Sequence, residues 1–461
     1  MILSRLTLIC LILISSKVYS QIPDRLKNTN WEQEGYDRVL AIKDSRYFYY
    51  NLNDYTCSIL AEGDFKGRFE VIDINKNNLI LNPGGIVNYR FKKIDSVPSK
   101  CKDGAYTDVN YIVNFKSFWQ TFKDNYAFFH KREINWNEIY REYFSKIKEV
   151  ETEQEFALLL KEIISKFEDG HINLEIPETI FEKTKPSTTK NTAISKEQIE
   201  SEIIYKYVEN PKSYNNKVIK WGKLKHKNIG YIGISDMNGF ANYVPKEFEN
   251  SEKFDSVFNS VRNQVEPLNY FRDEINGVNE ILPIIKEDLK ETKAMIVDIR
   301  FNGGGYETVA LELLSYFIDK EKEIISIKAK KENGFTGIQN IRIDPKENSV
   351  KSLHLLISPF TASAAEIFAL GALSYSNIEI YGSASSGIFS EILWKELPIG
   401  WEFSLSNEVY LDPRGKSYEG SGIPVDYEFN YSKDRSKFYQ SFYSKERFKD
   451  KILENLINSD F

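Results

Sequence analysis

Along this chain the spacing of apolar residues changes character near residue 105. Before it, short runs alternate with turn signals. Val39-Leu40-Ala41-Ile42, Phe69-Glu70-Val71-Ile72 and Asn88-Tyr89-Arg90-Phe91 read as strands, separated by turns such as Asn51-Leu52-Asn53-Asp54 and Asn82-Pro83-Gly84-Gly85. Residues 21–105 are therefore expected to form a small β-rich domain. After it, Phe115, Phe118, Trp119, Phe122 and Tyr126 recur at helical spacing. So do Phe156, Leu159, Leu160, Ile163 and Phe167, behind Thr152 and Glu155 at the separation of a capping box. These stripes predict helices within 106–180. Residues 181–225 open on a polar, Thr- and Lys-rich stretch and are expected as a linker.

From 226 to 432 strand runs alternate with glycine loops and helical patterns, which predicts an α/β core. Ile229 to Ile234 is one strand, and a long helical segment over 254–289, interrupted at Pro283, leads to the next. The charged, amphipathic residues 433–461 predict a closing helix.

Two joints in the core stand out. Ala294-Met295-Ile296-Val297-Asp298-Ile299 reads as a buried strand, and a helical pattern begins after Tyr306. Between them lie Gly303, Gly304 and Gly305, which can take positive φ and admit another group close to the backbone. At the second joint Leu353 to Ile357 is the strand, Ser358-Pro359 ends it, and Ser363 opens an Ala-rich helix running to about Leu373. A serine there serves either as an N-cap or as a nucleophile beside unpaired N–H groups. The glycines fit neither G-x-G-x-x-G nor a Walker loop. Loops that follow strands of one open sheet meet at its carboxyl edge, where such sheets carry their sites.

Composition narrows the field. The 461 residues are 41% hydrophobic and 14% aromatic, enough for well-filled cores and for two or three domains. A formal charge of −6, with 61 basic and 67 acidic residues, offers no basic face for nucleic acid. Residues 1–20 carry Arg5, an apolar stretch from Leu6 to Ile14 and the small-residue ending Val18-Tyr19-Ser20, the pattern of a signal peptide cleaved near Ser20 and Gln21. That implies a periplasmic or extracellular protein with no stable membrane insertion after cleavage. Cys57 and Cys101 then remain, as one disulfide or as two buried thiols. With four histidines and no H-E-x-x-H or C-x-x-C, neither a dedicated zinc site nor any cofactor is expected.

Asp298-Ile299-Arg300-Phe301-Asn302-Gly303-Gly304-Gly305, Thr361-Ala362-Ser363-Ala364-Ala365-Glu366 and Tyr418-Glu419-Gly420-Ser421-Gly422-Ile423-Pro424-Val425-Asp426, with Asp169-Gly170-His171 ahead of them, resemble in order and spacing the C-terminal processing (tail-specific) serine peptidases. More narrowly they are similar to the tricorn-like branch. The resemblance implies a crotonase-like (ClpP/crotonase) fold over 226–432, a helical cap over 106–180 and a polypeptide substrate. It assigns Ser363 as nucleophile, His171 as general base and Glu419 as the group orienting it. An oxyanion formed at the attacked carbonyl needs preorganised donors, for which the amides of Gly303, Gly304 and Ala364 are the candidates.

Each residue also has a plainer reading: His171 follows the expected C-terminal glycine of a helix, and Glu419 precedes a glycine as many turn residues do. The family's serine–lysine branch ends a glycine-rich loop on a lysine where this chain has Ile388, so that mechanism is available only if Lys395 substitutes from another geometry. Fewer than sixty residues separate His171 from the next strand, too few for the PDZ module many relatives carry. A non-catalytic binder of peptides or hydrophobic ligands, and an esterase-like hydrolase, are the competing functions.

Overall fold

The structure is a computed structural model, describing residues 22–101, 108–181, 194–249, 251–346, 351–445 and 447–459. The expected signal peptide, and the Thr- and Lys-rich stretch over 182–193, lie outside the described residues.

Seven strands follow one another in the N-terminal region: β1 (Thr29–Gln33), β2 (Arg38–Lys43), β3 (Arg46–Leu52), β4 (Cys57–Asp64), β5 (Glu70–Ile74), β6 (Asn78–Asn82) and β7 (Tyr89–Ile94). They form one antiparallel sheet in the order β4-β3-β2-β1-β7-β6-β5. The asparagines of the turns act as expected, with Asn53 Oδ1 accepting the N–H groups of Tyr55 and Thr56 and Asn82 Oδ1 that of Gly84. Alternation along β2 sends Val39 and Ala41 to a small cluster with Cys57 and Cys101, which are joined in a disulfide. Leu40 and Ile42 point the other way, into a large core.

That core is shared with three helices: α1 (Tyr111–Asn125), α2 (Trp136–Lys146) and α3 (Glu153–Ile164). Phe115, Phe118, Phe122 and Tyr126 are buried there, as are Phe156, Leu159, Leu160, Ile163 and Phe167. The Thr152–Glu155 capping box closes the start of α3. Trp401, Phe403 and Leu405, from far along the sequence, fill the same core. The N-terminal sheet and the helices therefore bury their apolar faces against each other.

After β8 (Leu174–Glu175) the chain enters the second large sheet. Residues 194–225, expected as linker, instead form α4 (Lys196–Tyr207), β9 (Val208–Tyr214) and β10 (Ile219–Leu224). Then come β11 (Ile229–Ile234), α5 (Phe254–Arg262), α6 (Pro267–Asp288), β12 (Ala294–Asp298) and α7 (Glu307–Ser315). The helical segment breaks at 263–266 rather than at Pro283, which lies inside α6. Proline instead opens that helix, where Pro267 lacks an N–H the first turn would leave unpaired anyway.

A smaller sheet joins β13 (Lys322–Lys331), β14 (Gly334–Phe335) and β15 (Gln339–Ile343). The core continues through β16 (Ser352–Ile357), α8 (Ala364–Ala372), β17 (Ile378–Gly382), β18 (Ile392–Glu396), β19 (Glu402–Ser406), β20 (Glu408–Leu411) and β21 (Tyr427–Glu428). The second sheet runs β21-β17-β16-β12-β11-β10-β9, parallel from β21 to β11 and antiparallel beyond.

Helices cover both faces of this sheet, which explains why β12 and β16 read as continuous apolar runs. Met295 and Val297 face α6, α7 and α8, while Ala294 and Ile296 face α4 and the C-terminal elements. Those elements are α9 (Arg435–Gln440), a hairpin of β22 (Tyr443–Ser444) and β23 (Arg447–Phe448), and α10 (Lys451–Asn458), in place of the single closing helix expected. Their anchor is Asp450, the N-cap of α10, which pairs with the fully buried Arg300 opposite Asp298.

Candidate active site

The two joints meet at the carboxyl ends of β12 and β16. Asn302 knits them: its amide donates to the Ile234 carbonyl, its side-chain oxygen accepts the Gly304 N–H, and its own carbonyl accepts the Ala362 N–H at 3.2 Å. Thr361 Oγ1 donates to the Ile299 carbonyl and Ser358 Oγ to that of Arg300. Gly304 has φ +118°, and a Cβ on it would lie 2.7 Å from the Ser363 Cβ. Only glycine lets this loop touch the serine.

Ser363 itself sits at φ +55° and ψ −125°, a region non-glycine residues avoid, immediately before α8. The first turn of α8 is closed by its carbonyl, which accepts from Glu366 and Ile367 N–H. Of the expected oxyanion donors, the Gly304 N–H is committed to Asn302. Gly303 is exposed, with open space where its Cβ would be. Ala364 begins α8, where N–H groups lack partners within the helix.

His171 and Glu419 reach the serine through one stretch of backbone, residues 385–390. The Ser363 N–H donates to the Ile388 carbonyl. Gly387 and Ile388 donate to the buried Glu366 carboxylate, which also accepts from Ser385 Oγ. The Phe389 N–H donates to Glu419 Oε2 at 3.0 Å, and the Ser390 backbone favours the charged form of the His171 imidazole. Ile388, at the position of the other branch's lysine, packs against the turn of Gly170. Lys395 is elsewhere, donating to the carbonyls of Tyr36 and Asp37 under the N-terminal sheet, so it cannot act as a base on Ser363.

The side chains of the three candidates are gathered but not linked. His171 Nδ1 is buried without a hydrogen-bond partner among the described residues. The turn that carries it is fixed by Asp169, whose Oδ1 accepts the His171 N–H, and by Ser404 Oγ, which donates to the His171 carbonyl. Glu419 Oε1 lies 3.4 Å from Arg132, their side chains 1% and 12% exposed respectively. Burial lowers the affinity of His171 for a proton, against the pull of the Asp169 charge. Burial pushes Glu419 up to about 8, helped by the Asp169 charge and opposed by the Phe389 N–H and Arg132.

Glu366 and Arg132 were not singled out from sequence. The first sat inside the serine motif, and its four donors, which include the Ser363 N–H at 3.2 Å, could have been suspected from the glycine at 387. Arg132 lies beyond α1 in a stretch without pattern. Among the described residues no group of His, Cys, Asp and Glu is arranged to hold a metal ion, and no helix is long and apolar enough to cross a membrane.

Residues 228–429 match peptidase family S41, and residues 109–165 match the tricorn protease C1 domain. A "Probable CtpA-like serine protease" of Staphylococcus aureus strain N315 is 26% identical over 171 residues, 37% of this chain and 34% of that protein. A protein of the same description from Staphylococcus saprophyticus is 25% identical over 159 residues, 34% of this chain and 32% of its own length. The chain thus spans about a third of the length of these relatives. A solved structure from Parabacteroides merdae superposes with a TM-score of 0.56 at 18% identity, over 76% of this chain and 98% of that one. That likeness is one of fold.

Proposed function

We propose, from the match of residues 228–429 to peptidase family S41, that this chain hydrolyses peptide bonds in polypeptides through an acyl-enzyme on Ser363. The observation that carries the reading is the backbone of Ser363, turned to φ +55° at a helix start and pressed against a glycine loop. His171 takes the hydroxyl proton as Oγ attacks the substrate carbonyl, and returns it to the amine that leaves. Water then enters by the same route and frees the acid. Glu419 orients the imidazole once its carboxylate turns from Arg132 towards Nδ1. Hydrogen bonds of this kind often tighten only with substrate bound. Gly303 and Ala364 supply the oxyanion donors, Gly304 shaping the loop instead.

The α/β layer is read as crotonase-like and α1 to α3 as its cap, in keeping with the tricorn C1 match over 109–165. Export from the cytoplasm is supported by the Cys57–Cys101 bond, of a kind kept in oxidising compartments. Ser363→Ala should abolish cleavage of unfolded proteins, and wild type should be labelled by a serine-directed fluorophosphonate. Undiminished cleavage by Ser363→Ala would sink the assignment. The unpartnered His171 Nδ1 favours a second reading, a peptide binder that keeps the fold without chemistry, for which wild type stays unlabelled.

A further inference from the structure

A cavity of about 320 Å³ opens beside Ser363 and Gly305. Ile86, Phe271, Tyr306 and Trp394 give it apolar and aromatic walls, and Glu307 and Glu391 line it as well. Beneath them the buried Glu408 accepts from Tyr36 and Tyr410, and Tyr410 Oη also reaches Glu307 at 2.5 Å. Two arginines also stand here, Arg68 in the cavity lining and Arg38 behind it, and the charge of each favours the ionised form of Glu391. Arg38 donates to Asn51 Oδ1 and the Trp394 carbonyl, and Arg68 to the Pro83 carbonyl. Thr308 Oγ1, also at the cavity, is buried without a partner among the described residues.

Resting on the peptidase reading, we infer that this cavity receives the side chain of a lysine or arginine next to the cleaved bond. Such a side chain matches the lining at both ends: its methylene stem covers the apolar walls, and its charged head meets Glu307 and Glu391. Burial and the neighbouring carboxylates hold Glu307 well above its usual range, and push Glu408 up to about 7. An incoming cation lets these groups ionise. Ile86, Val87 and Arg68 belong to the N-terminal β region, which on this reading forms one wall of the specificity pocket.

The test uses the full mature chain and matched peptides carrying lysine, arginine, norleucine or glutamate on either side of the scissile bond. Wild type should prefer lysine or arginine to norleucine by about tenfold or more in kcat/KM, and Glu391→Gln should lower that ratio by a similar factor. Because each ratio is taken within one protein, a partly unfolded variant does not mimic the effect. Ser363→Ala, which cannot turn over, should show the same preference in calorimetric binding. Cleavage or binding that favours norleucine or glutamate overturns the inference. If wild type neither cleaves nor reacts with the phosphonate while Ser363→Ala still selects lysine peptides, the cavity assignment stands and the peptidase reading falls.

Discussion

Ser363 is held at φ +55°, a conformation that costs a residue bearing a Cβ roughly 1–3 kcal/mol. Glycine adopts it freely, so Ser363→Gly should melt at a higher temperature than Ser363→Ala while both lack activity, which thermal denaturation of the pair would check. Equal melting points would mean the serine is not strained. Two other residues set the pH response. Burial keeps the His171 imidazole neutral below its ordinary range, whereas Glu419 is pushed up to about 8 and forms its carboxylate only as pH rises through that value. The profile of kcat/KM should therefore climb towards a plateau above about pH 8. Arg132 favours the charged form of Glu419, so Arg132→Met should move the climb to higher pH and Arg132→Lys should restore part of it. A climb that stays put in Arg132→Met would remove Glu419 from the mechanism. Ser363, His171 and Glu419, the proposed machinery, each sit in a motif that the sequence displays, whereas Arg132 does not, because an arginine beyond a helix end carries no local pattern.

The element that decides the site is the irregular stretch 385–390, neither helix nor strand, which is hydrogen-bonded to Ser363, Glu366 and Glu419 and packs Ile388 against the turn before His171. Gly387 is its tightest point: φ is +81°, and a Cβ there would lie 2.8 Å from the Gly420 carbonyl carbon and 2.9 Å from the Gly422 nitrogen. Backbone cannot swing aside as a side chain does. Gly387→Ala should cost about 2 kcal/mol of stability and lower kcat more than it alters KM, by pushing the Glu419 loop away. Thermal melts and steady-state kinetics together would show it, and full activity in a folded variant would count against this stretch as the site's frame. Other elements explain where the sequence misled. β9 spells Val208-Glu209-Asn210-Pro211-Lys212-Ser213-Tyr214, polar and proline-bearing, because it is an edge strand with water on its open side. α4 buries only Ile199, Ile203 and Tyr207, too narrow a stripe to stand out among its charges.

At the scale of the whole molecule, the N-terminal sheet is joined to the rest by a common core as well as by chain. Trp31, Leu40 and Phe91 share that core with Phe118, Phe156, Trp401 and Phe403. The Cys57–Cys101 bond, across 44 residues of sequence, fastens the edge strand β4 to the exit from the sheet. Opening a loop of that length costs about 3–4 kcal/mol in chain-entropy terms. A reducing agent should therefore lower the melting temperature, and the loss of activity should coincide with the loss of tertiary signal, since sheet and cavity wall unfold as one unit. Two separate transitions, with activity surviving the first, would show the N-terminal sheet to be independent of the site.

Sequence alone determined what depends on neighbours along the chain: the change from strand to helix period near residue 105, the buried runs of β12 and β16, the capping box of α3 and the two strand-to-helix joints. It also marked the serine, because a small-residue motif at a helix start is a local pattern. Only the tertiary structure decided that Asn302 ties the glycine loop to Ile234 and Ala362, that Arg132 and Glu366 stand beside the proposed machinery, and that residues 385–390 join the Ser363 backbone to the Glu419 carboxylate. Those relations join groups hundreds of positions apart in some cases, and their geometry is set by how the sheets and helices pack, which no window of residues encodes.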